Sequence, residues 1–263
     1  MPWFMVDSAL PATFLVQPNL TLWDDVVAWA GGKPMLWGRY LGSGGGAATP
    51  MTLGEANWLF TKGCGVVPIY NDSPINGGTQ GTYSLGQQDA QNAISQAQAL
   101  AIPANVYIVA DVEYSAQVTG DWIRGWADVM RASPYGGSGI LYCAPNSPSF
   151  SRAWQDATST KDPNVQRLLI WSATPEPGPS TASGMPTWGP DVPPEGTVAI
   201  WQYCEGAYGG VVDLDEADEQ ALRGGMWLPA SPKAPDVATA LQALNQAQQA
   251  LDEARAALGA YTP

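Results

Sequence analysis

Along the first 226 residues, short apolar runs alternate with amphipathic stretches. Eight runs are rich in β-branched and aromatic residues and close on polar or turn-forming positions, the signature of strands. They cover residues 3–7, 35–41, 65–71, 106–113, 139–144, 167–173, 198–203 and 211–214. Between the early runs, apolar residues recur with helical spacing at 22–30, 53–62, 85–100 and 121–131. Strands alternating with helices of this length build parallel β/α units, and eight such strands suggest a closed barrel. The expected fold class is therefore α/β, an irregular (β/α) TIM-like barrel over 1–226. Its irregularity is expected in the last third, where connections are shorter and less helical. No repeat of 20–50 residues is visible.

A second pattern begins after the barrel. Residues 227–235 contain Leu228-Pro229-Ala230-Ser231-Pro232-Lys233-Ala234-Pro235, a stiff linker in which each proline fixes its own φ and biases its predecessor away from helix. In 236–263, Val237, Leu244, Leu251 and Leu258 recur every seven residues. Ala240, Ala247, Ala254 and Tyr261 form a second series offset by three. This is an a/d heptad pattern with small residues at d, and it predicts a C-terminal coiled-coil helix. Self-association or docking on a partner helix through 236–261 is the favoured use; packing back on the same chain is the alternative.

Composition removes most of the familiar catalytic machinery. The 263 residues include 24 Asp and Glu against 11 Lys and Arg, a net charge of −13, and no histidine. There is no Ser-His-Asp or Cys-His relay and no zinc site built on histidines. Acid–base chemistry falls to carboxylates, tyrosines or lysines. The acidic balance argues against nucleic acid or an anionic membrane surface as partners. No apolar run approaches the roughly 18 residues that span a bilayer. The start, Met-Pro-Trp-Phe-Met-Val-Asp, has neither a basic n-region nor an A-x-A site, so no signal peptide is expected. Cys64, Cys143 and Cys204 each lie in or beside an apolar run and read as buried, unpaired thiols.

In a β/α barrel the active site lies at the carboxyl ends of the strands, so polar residues closing apolar runs are informative. Asp7, Asp111, Glu113 and Asp213 meet that test. In Asp111-Val112-Glu113 the period of a strand puts both acids on one face, about 7 Å apart at the backbone. Carboxylates in unlike environments are the equipment of glycoside hydrolysis: one stays protonated to donate to the leaving oxygen while others remain ionised. The bland alternative is that each acid caps a helix or pairs with Arg39 or Arg124. Among aromatics at strand ends, Tyr40, Tyr70, Tyr142, Trp171 and Trp201 fall where a sugar face could stack. Tyr70, Tyr142, Trp171 and Trp201, with Gln202 beside them, are the candidate substrate-binding residues; core packing is the competing use. Trp122 and Trp126, four apart on a helix, read as core. A Gly-rich stretch at 42–47 lacks an acidic ribose partner and reads as a loop. Asp213-x-Asp215 could suit a metal in a sugar-nucleotide transferase, but no cationic phosphate site accompanies it. No cofactor or metal is expected.

Three segments carry a family resemblance. Phe4-Met5-Val6-Asp7-Ser8, Tyr107-Ile108-Val109-Ala110-Asp111-Val112-Glu113, and Ala199-Ile200-Trp201-Gln202-Tyr203 followed by Gly210-Val211-Val212-Asp213-Leu214-Asp215 resemble the glycoside hydrolase family 25 lysozymes. They resemble equally a glycoside-hydrolase-like domain of unknown function found in actinobacterial wall proteins and their phages. Val67-Pro68-Ile69-Tyr70 and the stretch 83–101 look like the third strand and the helix preceding the central strand of that second group. The resemblance spans about 3–220. It implies an incomplete β/α barrel cleaving the N-acetylmuramic acid to N-acetylglucosamine bond of peptidoglycan. It makes Glu113 the proton donor and Asp111 the group holding the acetamido group or the intermediate. Asp7 and Asp213 would line the floor and tune the acid. The D-x-E form matches the lysozymes better than the second group, which often carries D-x-D. Long loops at 42–49 and 72–82 depart from the pattern and would reshape or block the groove.

Two functions follow from this resemblance. One is a peptidoglycan-directed, muramidase-like hydrolase carried by a phage particle. The other is a catalytically silent structural or glycan-binding module of a virion, such as a minor tail or decoration protein. Either places the protein on a virion acting at the bacterial surface; a lysin held in the cytoplasm until lysis is the alternative. Peptidoglycan or another cell-wall glycan is the expected ligand.

Overall fold

The computed structural model describes residues 2–229 and Gln248. The heptad series and its proposed association surface lie outside these residues. The elements run β1 (Trp3–Ser8), a hairpin of β2 (Leu15–Gln17) and β3 (Leu20–Thr21), α1 (Leu22–Ala30), β4 (Leu36–Tyr40), α2 (Leu53–Thr61), β5 (Gly65–Tyr70) and α3 (Tyr83–Ala99). Then come β6 (Val109–Asp111), α4 (Gly120–Ala132), β7 (Ile140–Cys143), α5 (Pro148–Ser159), β8 (Leu169–Ser172), β9 (Thr197–Gly206) and β10 (Val212–Ala217). Eight strands close a barrel in the order β1-β10-β9-β8-β7-β6-β5-β4.

Each of α1–α5 starts from a capping hydroxyl. Thr21, Thr52, Thr82, Thr119 and Ser147 accept from the backbone N–H three residues on. That satisfies one of the donors a helix start leaves open. The fifth helix was not among those read from the sequence. Its signal is present, because Ser147-Pro148 supplies a cap and an N1 proline, and Phe150, Ala153, Trp154 and Ala157 share one buried face.

Seven barrel strands are parallel, whereas β10 runs antiparallel to both β9 and β1. The expectation of eight parallel strands fails here for a reason of length. A parallel return needs a crossover of a dozen or more residues, and only the turn Ala207–Gly210 and Val211 separate β9 from β10. Gly206, Tyr208, Gly209 and Gly210 take positive φ to reverse the chain. β6 is also shorter than the predicted run 106–113. The Tyr107 N–H donates to Gly225 O and the Gly136 N–H to Val106 O, so the strand's flanks pair outside the barrel.

Packing divides into two layers. Between the barrel and the helices lie Trp37, Trp122, Trp126 and Trp154. Inside the barrel, Met5, Leu36, Val67, Val109, Ile140, Ile200 and Leu222 form an apolar plug. The barrel unit reaches Pro229, past the predicted boundary at 226. Trp227 bridges to Val66 and packs 5.3 Å from Phe60, so the first part of the predicted linker belongs to the barrel. Cys64, Cys143 and Cys204 are buried free thiols.

Candidate active site

Barrel closure brings the four predicted acids to one rim. Asp7 lies near the carboxyl end of β1, in register with Gly38 on one side and Asp213 on the other. A side chain at Gly38 would collide with Asp7 and Trp171, so glycine makes room for both. Asp213 reaches this rim from the start of a reversed strand, not from the end of a parallel one. Asp111 closes β6. Glu113 lies two residues beyond, still aligned because the Val112 N–H donates to Tyr142 O at 3.0 Å. All four carboxylates line one pocket of about 70 Å³. Asp7 and Asp111 are buried, Asp213 is half-buried and Glu113 is exposed at the mouth.

Two long loops shape the surroundings. Asn76, from the 72–82 loop, donates from Nδ2 to Asp111 O at 2.9 Å and accepts the Glu113 N–H on Oδ1 at 3.2 Å. The loop expected to reshape or block the groove clamps the backbone that carries both acids. The 42–49 loop contributes Gly44, Ala47 and Ala48 to an adjoining pocket of about 210 Å³, which shares Tyr40, Asp111 and Glu113 with the first. The groove continues past the acids on that side.

The aromatics divide by strand parity. Tyr142 lines the acid pocket, and its hydroxyl donates to Gln202 Oε1 at 2.7 Å. Trp171 also lines it, but from inside the barrel. Its ring is buried, and Nε1 donates to Asp215 Oδ1 at 3.0 Å. It supports the floor and is not an open stacking face. Tyr70 and Trp201 do not belong to the pocket. One position along each strand reverses the face, so Ile69 and Gln202 face the site while Tyr70 and Trp201 face the helices. The Tyr70 hydroxyl donates to buried Asp89 at 3.2 Å, and Trp201 Nε1 donates to Pro175 O at 2.9 Å. Both are core residues.

Four residues at the site were given no role in its acid chemistry by the sequence reading, which weighed Asp215 only as a metal partner of Asp213. Tyr40, weighed only as one of several strand-end aromatics, and Glu205 line the pocket. Asn76 holds the acid turn. Asp215 is fully buried two positions after Asp213 on β10. Their signals were available in part: Glu205 closes the apolar run of β9, which extends past the predicted end at 203, and Asp215 shares a face with Asp213 by period two.

The alternative use of the acids as simple ion-pair partners does not hold. Arg39, fully buried, donates from Nε to Glu55 Oε1 at 2.8 Å and from its terminal nitrogens to Ser8 O and Thr49 O. Arg124 pairs with Asp121 and Asp156. Among the described residues no cation lines the acid pocket. Burial therefore raises the carboxyl pKa values, and neighbouring charges add to it. Asp7 rises well above its usual value by burial and then by Asp213; Asp111 rises by burial and then by Glu113. Glu113 is raised by burial and by Glu205. Asp213 moves from 3.8 to about 6, mainly by burial, against the opposing hydrogen bond from the Gly206 N–H. Beneath them, Asp215 is raised well above its usual value by burial and then by the charges of Asp7 and Asp213. The Oδ2 atoms of both Asp7 and Asp215 are buried without a hydrogen-bond partner among the described residues. Among the described residues no group of three or more His, Cys, Asp or Glu is set to hold a metal ion.

The sequence model of the Rv2525c-like, glycoside hydrolase-like domain matches residues 28–222. The chain belongs to this family. A solved structure of an uncharacterized Bacillus stearothermophilus protein is 30% identical, with a TM-score of 0.71 over 84% of this chain and 98% of that one. The Mycobacterium tuberculosis Tat-secreted protein Rv2525c, solved with L-tartrate, is 15% identical with a TM-score of 0.52, over 86% of this chain and 98% of its own. That likeness is one of fold. No curated protein matches this chain in sequence. Within the family's glycoside hydrolase-like barrel, the pocket gathers carboxyl groups whose pKa values are raised by burial and by one another.

Proposed function

We propose that the barrel is a peptidoglycan-directed glycoside hydrolase of the muramidase type, close to the family 25 lysozymes in mechanism. The observation that carries the reading is Glu113, raised in pKa and exposed at the mouth of a pocket whose other acids are buried. Glu113 donates the proton to the leaving glycosidic oxygen. Asp111, held by Asn76 through its backbone, faces the same space and supports the developing positive centre or the acetamido group. Asp213 and the Asp7–Asp215 pair hold the negative field beneath. Tyr142 and Gln202 orient substrate at the rim. No cofactor enters the scheme. The test is mass spectrometry of purified peptidoglycan incubated with the protein: new reducing muramic acid ends are expected, and their absence overturns the assignment.

The small pocket favours a second reading. At about 70 Å³ it admits a water or a substituent but not a pyranose ring, which suits a glycan-holding, catalytically silent virion module. Binding of peptidoglycan without new reducing ends would select it. Carriage on a phage particle, with self-association through 236–261, belongs to the same proposal. Its support is the a/d heptad series in the sequence. Light scattering should show a larger particle for the full chain than for a chain ending at Pro229.

A further inference from the structure

A larger opening lies beside the acid pocket. It measures about 750 Å³ and shares Glu205 with that pocket, so the two adjoin at that side chain. Trp29 of α1 and Tyr208 of the β9–β10 turn form its aromatic wall, with Gln17 and Asp25 among the polar groups around it. The turn is fastened to the acid site, because the Gly206 N–H donates to Asp213 Oδ1 at 2.6 Å.

Tyr208 is the informative residue. It occupies the left-handed region, at φ 63 and ψ 43, in a turn whose glycines adopt positive φ at no steric cost. A tyrosine there is strained, and such strain tends to sit at functional positions. The side chain is nevertheless held in place. Its ring stands edge-on to Trp29 at 5.0 Å and 83°, and its hydroxyl donates to Asp25 Oδ1 at 3.4 Å. Both rings are only half-buried. Among the described residues no lysine or arginine lines the opening, so its charged groups, Asp25 and Glu205, are acceptors that suit hydroxyl and amide donors and repel anions.

We propose that this opening is a binding subsite for a neutral pyranose, one unit of the same glycan chain whose neighbouring unit lies over the acid pocket. The proposal rests on the glycan-directed reading above. The apolar sugar face packs on Tyr208 and Trp29, and its hydroxyls donate to Asp25 and Glu205. The experiment uses full-length protein carrying Glu113→Gln, titrated calorimetrically with soluble β-1,4-linked N-acetylglucosamine dimer, tetramer and hexamer. Adding Tyr208→Gly should weaken hexamer binding by about two- to tenfold, the scale of one aromatic contact. The dimer should change less, because it does not span both pockets. Tyr208→Phe, which keeps the ring, should bind within about twofold of its parent. Glycine also relieves the strained φ, so the melting temperature should hold or rise; a merely structural tyrosine would instead lower it. Equal hexamer affinity with and without Tyr208→Gly overturns the subsite and leaves the proposed function standing. A wild-type protein that cleaves peptidoglycan while its Glu113→Gln form binds none of the oligomers overturns the subsite as well. A protein that neither binds the oligomers nor cleaves peptidoglycan overturns the functional reading and this inference with it.

Discussion

Removing the charge of Asp213 should stabilise the protein at neutral pH while impairing its site. The folded state raises this carboxyl from 3.8 to about 6. The folded chain thus holds the proton more tightly than the unfolded one. The stability this contributes is fully present below 3.8 and is lost as pH rises through about 6. At 1.36 kcal/mol per pH unit the loss is about 3 kcal/mol, and solvent at the half-exposed rim reduces it to about 2 kcal/mol. Asp213→Asn keeps the shape and removes the buried charge. It exchanges a charge-assisted bond from the Gly206 N–H for a neutral one, at a cost of about 1 kcal/mol. The net gain at pH 7.5 is about 1 kcal/mol, or about 2–4 °C in melting temperature for a domain of this size. Differential scanning fluorimetry of both proteins between pH 3.5 and 8 reads the effect. The gain should shrink to nothing or reverse towards pH 3.5. A variant less stable than wild type at pH 7.5, or a gain that does not depend on pH, refutes the reasoning.

Three further outcomes test the surrounding structure. Glu216 is fully buried with both carboxyl oxygens unpartnered and its pKa raised to about 7 by burial; Glu216→Leu should raise the melting temperature at pH 8 and do so less at pH 5. Glu55→Ala strands the buried guanidinium of Arg39 and removes the acceptor of the Ala12 N–H. It should cost about 3–5 kcal/mol in urea unfolding, and a loss below 1 kcal/mol would show that the pair is not buried as described. Tyr70→Phe and Trp201→Phe alter only core contacts on the helix side of the barrel; both should lose stability without changing glycan affinity, as isothermal titration would show.

The barrel was legible because its strands and early helices obey simple periods. What the periods did not reveal was direction. β10 resembles any other apolar run, and only the short gap after β9 indicates that it turns back. That reversal is what lets Asp213 reach the rim while standing at the start of its strand. The acids were legible as polar ends of apolar runs, a test that depends on strand position alone. The aromatics were not, since a strand end specifies depth but parity specifies face. Tyr70 and Trp201 miss the pocket by one position, while Tyr142 and Gln202 line it. Asn76 and Tyr208 act from loops, where side-chain partners lie 35–37 and 183 residues away and no local pattern announces them.

The measurement closest to the central claim is the rate at which wild-type protein and Glu113→Gln release reducing ends from purified peptidoglycan. The isostere preserves the pocket but carries no carboxylic proton. General acid catalysis contributes about 10²–10⁴-fold, so the variant should fall by at least about 100-fold while its melting curve stays that of the wild type. A variant within about twofold of wild type, or a wild type that releases no ends at all, contradicts the assignment of Glu113 as the proton donor of a hydrolase.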